Sequence, residues 1–235
     1  MNFSNRVLYN ELKQIGFDNA DKKEVREYDS RVQGLRNIKK ENKEIIEALN
    51  IGKDSVILEI GSGTGELAIE AAKYCKRVYA VDISPVMLSS AHVKAKVKGI
   101  SNIEFYHAGL LTCHHKGEML DAVVSQLVLH HLPDFWKLIA LKRVSSLLKD
   151  GGRLFLRDIV YPSGVEDYSL YFDALISNMK QYAGDRPARD FEAHIKDEYS
   201  TLDWIMEGLL KRAGFNIEKT QYREEYMAVY LCSKV

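Results

Sequence analysis

Short apolar runs and amphipathic segments alternate through the middle of the chain. Five runs rich in β-branched residues predict strands, and three segments with apolar residues at three- and four-residue spacing predict helices. The predicted strands are 55–60, 77–82, 102–107, 120–126 and 152–160, and the helices are roughly 64–75, 85–98 and 134–149. Strands that alternate with helices predict a parallel sheet covered by helices on both faces.

The chain ends in two adjacent strand-like runs within "FNIEKTQYREEYMAVYLCSKV". Consecutive strands without a helix between them pair as a hairpin, which places an antiparallel element at one edge of the sheet. The pattern therefore predicts an α/β fold. We expect a doubly wound, Rossmann-like, mostly parallel seven-stranded sheet with an antiparallel last strand.

Two segments lie outside this alternation. Residues 1–50 read as a helical segment ahead of the first strand, and 163–198 form an insertion too long for an ordinary connection. We therefore expect a core over 51–235 with 163–198 as an inserted helical cap. An apolar stripe along this insertion fits either core packing or an aromatic wall over a pocket. The stripe consists of Tyr168, Tyr171, Phe172, Leu175, Ile176, Met179 and Tyr182.

Composition favours a small partner. In 235 residues, lysine and arginine total 33, as do aspartate and glutamate, so there is no global positive field to attract DNA. No run reaches the ~20 apolar residues of a membrane span, and no signal-peptide pattern opens the chain, so we expect a cytoplasmic protein. The three cysteines suggest neither a disulfide framework nor a zinc knuckle. Oligomeric state stays open.

The segment "EIGSGTGE" at 59–66 follows the first predicted strand, where doubly wound sheets bind ligands. Its glycines keep side chains away from a ligand on the backbone. A dinucleotide fingerprint requires glycine at the position that Glu66 occupies. Glu59, just before the turn, suits a cationic ligand better than a pyrophosphate. Asp82 ends the second strand, where a carboxylate accepts both hydroxyls of a ribose.

With "EIGSGTGE", "VDISPVML", "VVSQLVLHHLPD" and "LLKDGGRLFLRD" in this order and spacing, the chain resembles the class I S-adenosylmethionine-dependent methyltransferases. Its pattern is most like that of the small-molecule group of the ubiquinone/menaquinone-biosynthesis type. The resemblance covers 50–160. It implies methyl transfer from S-adenosylmethionine to a small-molecule acceptor, with S-adenosylhomocysteine as product, and it implies that residues 1–50 fold over the cofactor as a lid.

The resemblance also implies a set of cofactor contacts. Asp82 would hold the ribose, and Glu59 with the glycine turn would hold the methionine part. The family's usual acid after the third strand is absent, so backbone groups near Gly109 and Leu110 would read the adenine. The remaining implied contacts are Gly61, Ser62, Gly63 and Gly65 in the turn, Ile83 and Met87 near the adenine, Ser125 and Gln126 beneath the methyl donor, and Tyr28 and Arg31 in the lid.

Candidate acid–base groups follow the fourth and fifth strands. His130 and His131 lie beyond the strand expected under the reactive methyl, and imidazole takes up a proton near neutrality; packing is the alternative role for either ring. Asp158 opens onto the same edge of the sheet. Adjacent residues such as "CHH" at 113–115 rarely converge on one ion, so no metal site is predicted.

Other functions stay open. An RNA or protein methyltransferase and a non-catalytic S-adenosylmethionine-binding protein share the core pattern, whereas Glu59 and Glu66 disfavour a dehydrogenase-like nucleotide binder. The "SQLVLHHL" segment lacks the Asn/Asp-Pro-Pro-Tyr signature of DNA-adenine and protein-glutamine methyltransferases. The sequence does not choose between oxygen, nitrogen, carbon and sulfur as the methylated atom.

Overall fold

The computed structural model describes residues 7–12, 25, 28–29 and 36–235. Its helices are α1 (Ile38–Ala48), α2 (Glu66–Ala71), α3 (Pro85–Val97), α4 (Asp134–Leu147), α5 (Tyr168–Ala183), α6 (Asp185–Asp197) and α7 (Asp203–Arg212). Its strands are β1 (Val56–Ile60), β2 (Arg77–Asp82), β3 (Ile103–His107), β4 (Leu120–Gln126), β5 (Leu148–Tyr161), β6 (Thr201–Leu202), β7 (Phe215–Arg223) and β8 (Met227–Lys234). A short 3₁₀ turn spans Leu129–His131. No helix in the described ranges is long and apolar enough to cross a membrane.

The main sheet has the strand order β3-β2-β1-β4-β5-β8-β7. Strands β1 to β5 are mutually parallel, and β8 runs antiparallel between β5 and β7. The prediction of a mostly parallel sheet with an antiparallel last strand is confirmed. Every residue of β1 is buried, as expected for a central strand covered on both faces. The order reverses between β1 and β4, where such sheets bind ligands beyond their carboxyl ends.

Two predicted start positions differ from the structure by more than one residue. The first helix after the glycine turn begins at Glu66 rather than at 64, because Gly65 has a left-handed φ of 80° and forms the N-cap. Strand β5 begins at Leu148 rather than at 152, because Leu148 is fully buried and pairs with Leu120. The pairing of β4 with β5 shifts in register between Leu120 and Ala122, and this shift accommodates the additional residues of β5.

The insertion consists of helices α5 and α6, which pack against each other. Leu175 of α5 and Phe191 of α6 are buried, whereas Tyr182 at the end of the apolar stripe is 79% exposed. Tyr161 at the end of β5 contacts the ring of Phe172 edge-on, with a centroid separation of 5.1 Å. The aromatic face of α5 therefore packs on the carboxyl end of β5. The division into lid, core and cap stays a prediction.

Candidate functional site

The glycine turn after β1 leaves open space on one side. Gly61, Gly63 and Gly65 have φ values of 76°, 52° and 80°. A Cβ on Gly61 would lie 2.2 Å from Val128 Cγ2, and one on Gly65 would lie 2.8 Å from Ala91 Cβ, so both positions require glycine for packing. A Cβ on Gly63 would meet nothing within 4 Å. Gly63 lines a cavity at the carboxyl edge of the sheet.

Glu59 places a carboxylate in the wall of this cavity. Its side chain is 5% exposed, and its Oε2 atom is buried without a hydrogen-bond partner. Burial, with the nearby charge of Asp82, raises the pKa of Glu59 to about 8. Burying an ionised carboxylate is costly, and a cation bound beside Oε2 would offset that cost and favour the ionised form. The geometry thus supports the cationic ligand that the sequence predicted.

Asp82, at the end of β2, is anchored by two backbone donors. Its Oδ2 accepts the Gly63 N–H at 2.8 Å, and its Oδ1 accepts the Ser84 N–H at 2.8 Å. Burial raises the pKa of this carboxyl, while the two backbone hydrogen bonds oppose the shift. A carboxylate oxygen can accept more than one hydrogen bond, so both oxygens keep acceptor capacity toward the cavity.

The opposite end of the cavity is built by the loop after β3 and by Glu11 of the N-terminal segment. Ile83, Met87, Gly109 and Leu110 line this end, as does Glu11. The Glu11 carboxylate is buried and accepts the backbone N–H groups of residues 111 and 112 at 2.9 and 2.7 Å. Ala108 and Gly109 stand directly after β3, where the sequence lacks an acid, and Glu11 supplies one from elsewhere.

A histidine–carboxylate cluster lies behind the 3₁₀ turn. His130 Nδ1 is 2.5 Å from Asp158 Oδ1, and the Leu129 N–H donates to Asp158 Oδ2 at 2.7 Å. Asp158 is fully buried and His130 nearly so. Burial by itself lowers the pKa of His130, but Asp158 and Glu198 raise it to about 9. The pKa of Asp158 is lowered by His130 despite its burial.

Glu198, just after α6, joins this cluster. Its Oε2 lies 3.1 Å from His130 Nε2, 3.5 Å from His131 Nδ1 and 2.7 Å from His194 Nδ1. The other ring nitrogen of His194 is 2.7 Å from Ser200 Oγ. His131 also lines the cavity, and burial, with the neighbouring His130, lowers its pKa to about 4. His131 therefore connects the cluster to the cavity.

Comparison with known proteins gives a consistent result. A methyltransferase-domain family matches residues 57–152. An uncharacterized methyltransferase of Bacillus mycoides is 28% identical over 198 residues, which is 83% of this chain and 87% of that protein. An uncharacterized protein of Methanocaldococcus jannaschii is 36% identical over 78 residues, which is 33% of this chain but only 30% of that protein.

Solved structures agree on the fold. An S-adenosylmethionine-dependent methyltransferase from Clostridium acetobutylicum aligns with a TM-score of 0.67 at 18% identity, covering 90% of this chain and 98% of that one. Magnesium protoporphyrin IX methyltransferase from Synechocystis, with bound SAH, aligns with a TM-score of 0.61 at 21% identity, covering 87% and 84%. These matches identify the chain as a methyltransferase, with the fold of the S-adenosylmethionine-dependent methyltransferases.

The cavity of this methyltransferase fits its cofactor. Glu59 offers a buried carboxyl group whose Oε2 is unpartnered for a cation, and Gly63 leaves the turn open on the side of the cavity. The cavity brings together most of the cofactor-binding residues predicted from the sequence. Those that line it are Tyr28, Glu59, Gly61, Ser62, Gly63, Asp82, Ile83, Met87, Gly109, Leu110 and Gln126.

Some predicted residues of the methyltransferase lie elsewhere. Gly65 caps α2 and packs on Ala91, and Ser125 is buried within β4. Of the predicted acid–base groups, only His131 lines the cavity, whereas His130 and Asp158 lie behind it. Arg31 lies outside the described residues.

Sequence reasoning missed other residues of the site. Glu11, Asp29, Arg36, Glu41 and Asn42 of the N-terminal segment line the cavity. His194 and Glu198, which complete the histidine cluster, come from the insertion. Their four-residue spacing in "HIKDE" places both on one helical face, and this was the available signal. Nothing comparable in the local sequence singles out Glu11.

Proposed function

We propose that this methyltransferase transfers a methyl group from S-adenosylmethionine to a small-molecule acceptor. The observation that supports this function is the buried Glu59 carboxyl group beside the glycine turn, whose Oε2 has no hydrogen-bond partner. A buried carboxylate at this point suits the ammonium group of the methionine part. The balanced charge of the chain, 33 basic against 33 acidic residues, supports a small acceptor over a nucleic acid.

Different residues of the cavity would bind different parts of the cofactor. Glu59 would pair with the ammonium, and Asp82 would accept the two ribose hydroxyls while its backbone hydrogen bonds fix its orientation. Ile83 and Met87 would pack on the adenine ring. Gly109 has its N–H engaged by Thr112 Oγ1 at 2.9 Å, so the adenine edge would rely on other polar groups of this loop.

Transfer itself requires alignment more than acid–base strength. S-adenosylmethionine supplies an electrophilic methyl carbon on a sulfonium, and the protein holds the acceptor atom in line with it. Such positioning contributes up to ~7–11 kcal/mol to lowering a barrier. Gln126 at the end of β4 and His131 in the following turn line the side of the cavity where the acceptor would approach.

Described residues of the N-terminal segment line the cavity together with the core, which supports a small acceptor. They include Tyr28, Asp29, Arg36 and Asn42. Asp29 is held in place from the core, since its Oδ1 accepts the Thr64 hydroxyl at 2.5 Å and its Oδ2 contacts Lys94 Nζ at 2.5 Å. A cavity lined by both segments suits a small molecule better than a folded macromolecule.

Binding and labelling experiments test this function. Calorimetric titration should show binding of S-adenosylmethionine and S-adenosylhomocysteine and no binding of NAD. The protein and methyl-labelled donor are then incubated in three separate reactions, with a metabolite extract, with total RNA and with a protein extract. We expect label in the metabolite fraction. Label found only in RNA or protein would contradict the small-molecule acceptor. Binding without transfer to any fraction would indicate a non-catalytic binding protein.

A further inference from the structure

Three side chains from two separate segments place ligand atoms around one point. His130 and His131 follow β4, and Glu198 follows α6. The nearest nitrogens of the two imidazoles and one Glu198 oxygen all lie within 4.8 Å of one another. Imidazole nitrogen and carboxylate oxygen are common protein ligands of divalent transition-metal ions.

The distances are compatible with a coordination sphere. Bonds of ~2.0–2.1 Å to a tetrahedral ion place neighbouring ligand atoms ~3.3 Å apart. Glu198 Oε2 lies 3.1 Å from His130 Nε2 and 3.5 Å from His131 Nδ1. His131 Nδ1 is buried without a hydrogen-bond partner. A buried polar atom of this kind calls for a further group, and an ion between it and Glu198 Oε2 would supply one.

The surroundings orient the ligands as outer groups do in metal sites. His130 uses its remaining ring nitrogen on Asp158 at 2.5 Å, the carboxylate–histidine arrangement typical of metal ligands. His194 Nδ1 lies 2.7 Å from Glu198 Oε2, and Ser200 holds the far side of the His194 ring. With His130 neutral, as a metal ligand must be, a dication would balance the charge of the two carboxylates of this cluster, Asp158 and Glu198.

We propose that His130, His131 and Glu198 bind one divalent first-row transition-metal ion, Zn²⁺ or Fe²⁺. Two histidines and one carboxylate serve both ions, and three protein ligands leave a further coordination position. The ion would link the turn after β4 to the end of the inserted helices, and His131 would bring it next to the cavity. This proposal departs from the expectation, drawn from the sequence, that the chain holds no metal.

A cobalt titration tests the site, because Co²⁺ reports its coordination by visible absorption. The full-length protein is treated with a chelator, returned to chelator-free buffer and titrated with CoCl₂. We expect one ion per chain. Removing a ligand should weaken binding by at least about 100-fold, the upper end of the effect of losing an outer-sphere partner. The variants are Glu198→Gln, which keeps the side-chain shape, and His131→Ala, whose side chain is part-exposed.

Matched controls distinguish loss of the metal site from general damage to the protein. His114→Ala removes an exposed histidine outside the cluster and should bind Co²⁺ like the wild-type chain. Affinity for S-adenosylhomocysteine, measured on every variant, reports an intact cofactor cavity. Competition of Zn²⁺ and, under anaerobic conditions, Fe²⁺ against bound Co²⁺ identifies the preferred ion.

Two outcomes would overturn the metal site. One is a wild-type chain that takes up no stoichiometric Co²⁺, and the other is a Glu198→Gln variant that binds Co²⁺ as tightly as the wild type. Because the metal readout does not depend on the cofactor, its failure is distinguishable from that of the proposed function. A wild-type chain that binds S-adenosylhomocysteine but no Co²⁺ rejects only the metal site, and a wild-type chain that binds Co²⁺ but no S-adenosylhomocysteine rejects only the proposed function.

Discussion

Glu11 and Gly109 are in direct contact, and the Glu11 carboxylate leaves no room for a side chain at position 109. A Cβ on Gly109 would lie 2.5 Å from Glu11 Cδ and 2.5 Å from its Oε2. The carboxylate of Glu11 occupies the space next to the loop after β3 and accepts the backbone N–H groups of Leu111 and Thr112. The N-terminal segment thus shapes the adenine end of the proposed cofactor site.

Replacing either partner should therefore weaken cofactor binding. In Glu11→Ala the buried N–H groups of Leu111 and Thr112 lose their acceptor, which costs about 1–3 kcal/mol of stability. Gly109→Ala should displace the carboxylate and act in the same direction. The measurements are calorimetric affinity for S-adenosylhomocysteine and the free energy of unfolding. Leu12→Ala, at an exposed neighbouring position, is the control. Unchanged affinity in both variants would show that this contact is separate from cofactor binding.

Asp82→Ala should weaken binding of S-adenosylhomocysteine by about 100-fold or more. A hydrogen bond to a charged group contributes ~1.5–3 kcal/mol, and the proposed ribose contact uses two of them. The variant also frees the N–H groups of Gly63 and Ser84, so its circular dichroism and unfolding curve must be recorded beside its affinity. Asp54→Ala, at an exposed position before β1, controls for loss of one negative charge. Equal affinities for the two variants would contradict the ribose assignment.

Glu59 should make the cofactor-free protein less stable as pH rises. Its pKa is raised to about 8 from an ordinary value of 4.5, chiefly by burial. Between these values the folded chain holds a proton that the unfolded chain has released. This contribution to stability is therefore complete below the lower pKa and is lost as pH rises through about 8. Unfolding free energies of wild type and Glu59→Gln, measured across this range, should diverge. Parallel pH profiles would contradict the shifted pKa.

The same carboxyl predicts proton release on cofactor binding. At pH below about 8 the free Glu59 is largely protonated, and a bound ammonium would favour its carboxylate. Calorimetry near neutral pH, in buffers of different ionisation enthalpy, should show more protons released by the wild type than by Glu59→Gln. Subtracting the variant removes any contribution of the ligand's own amino group. No difference between them would place the ammonium away from Glu59.

The core and the glycine turn were predictable because local pattern determines them. Strands β2 and β4 match their predicted bounds, since their apolar runs are long and each ends at a polar residue. Glu59 and Asp82 follow strands of the sheet, and parallel strands bring their carboxyl ends to one edge. Position in the topology was enough to place both residues at the cavity.

The remaining parts of the site depend on contacts between distant segments. Glu11 reaches the loop after β3 from the N-terminal segment, and Glu198 reaches His130 from the insertion. Neither pairing has a sequence period that would reveal it. Asp158 was predicted to face the acceptor, but the structure places it behind the turn, because the His130 ring and the Leu129 N–H engage both of its oxygens.

Replacing residues 165–190 by a short linker should abolish methyl transfer while cofactor affinity stays nearly unchanged. None of the described residues that line the cavity comes from 163–198, so cofactor binding has no direct need of α5 or the start of α6. Helix α5 packs on the carboxyl end of β5, and Glu198, just after α6, lies 3.5 Å from His131 in the cavity wall. Transfer is measured with methyl-labelled donor and the acceptor found in the metabolite fraction, and affinity by calorimetry with S-adenosylhomocysteine. Tyr182→Ala, on the exposed end of α5, should retain both activities and serves as the control. If cofactor affinity collapses in the linker variant, the insertion is part of the core rather than a cap over the acceptor.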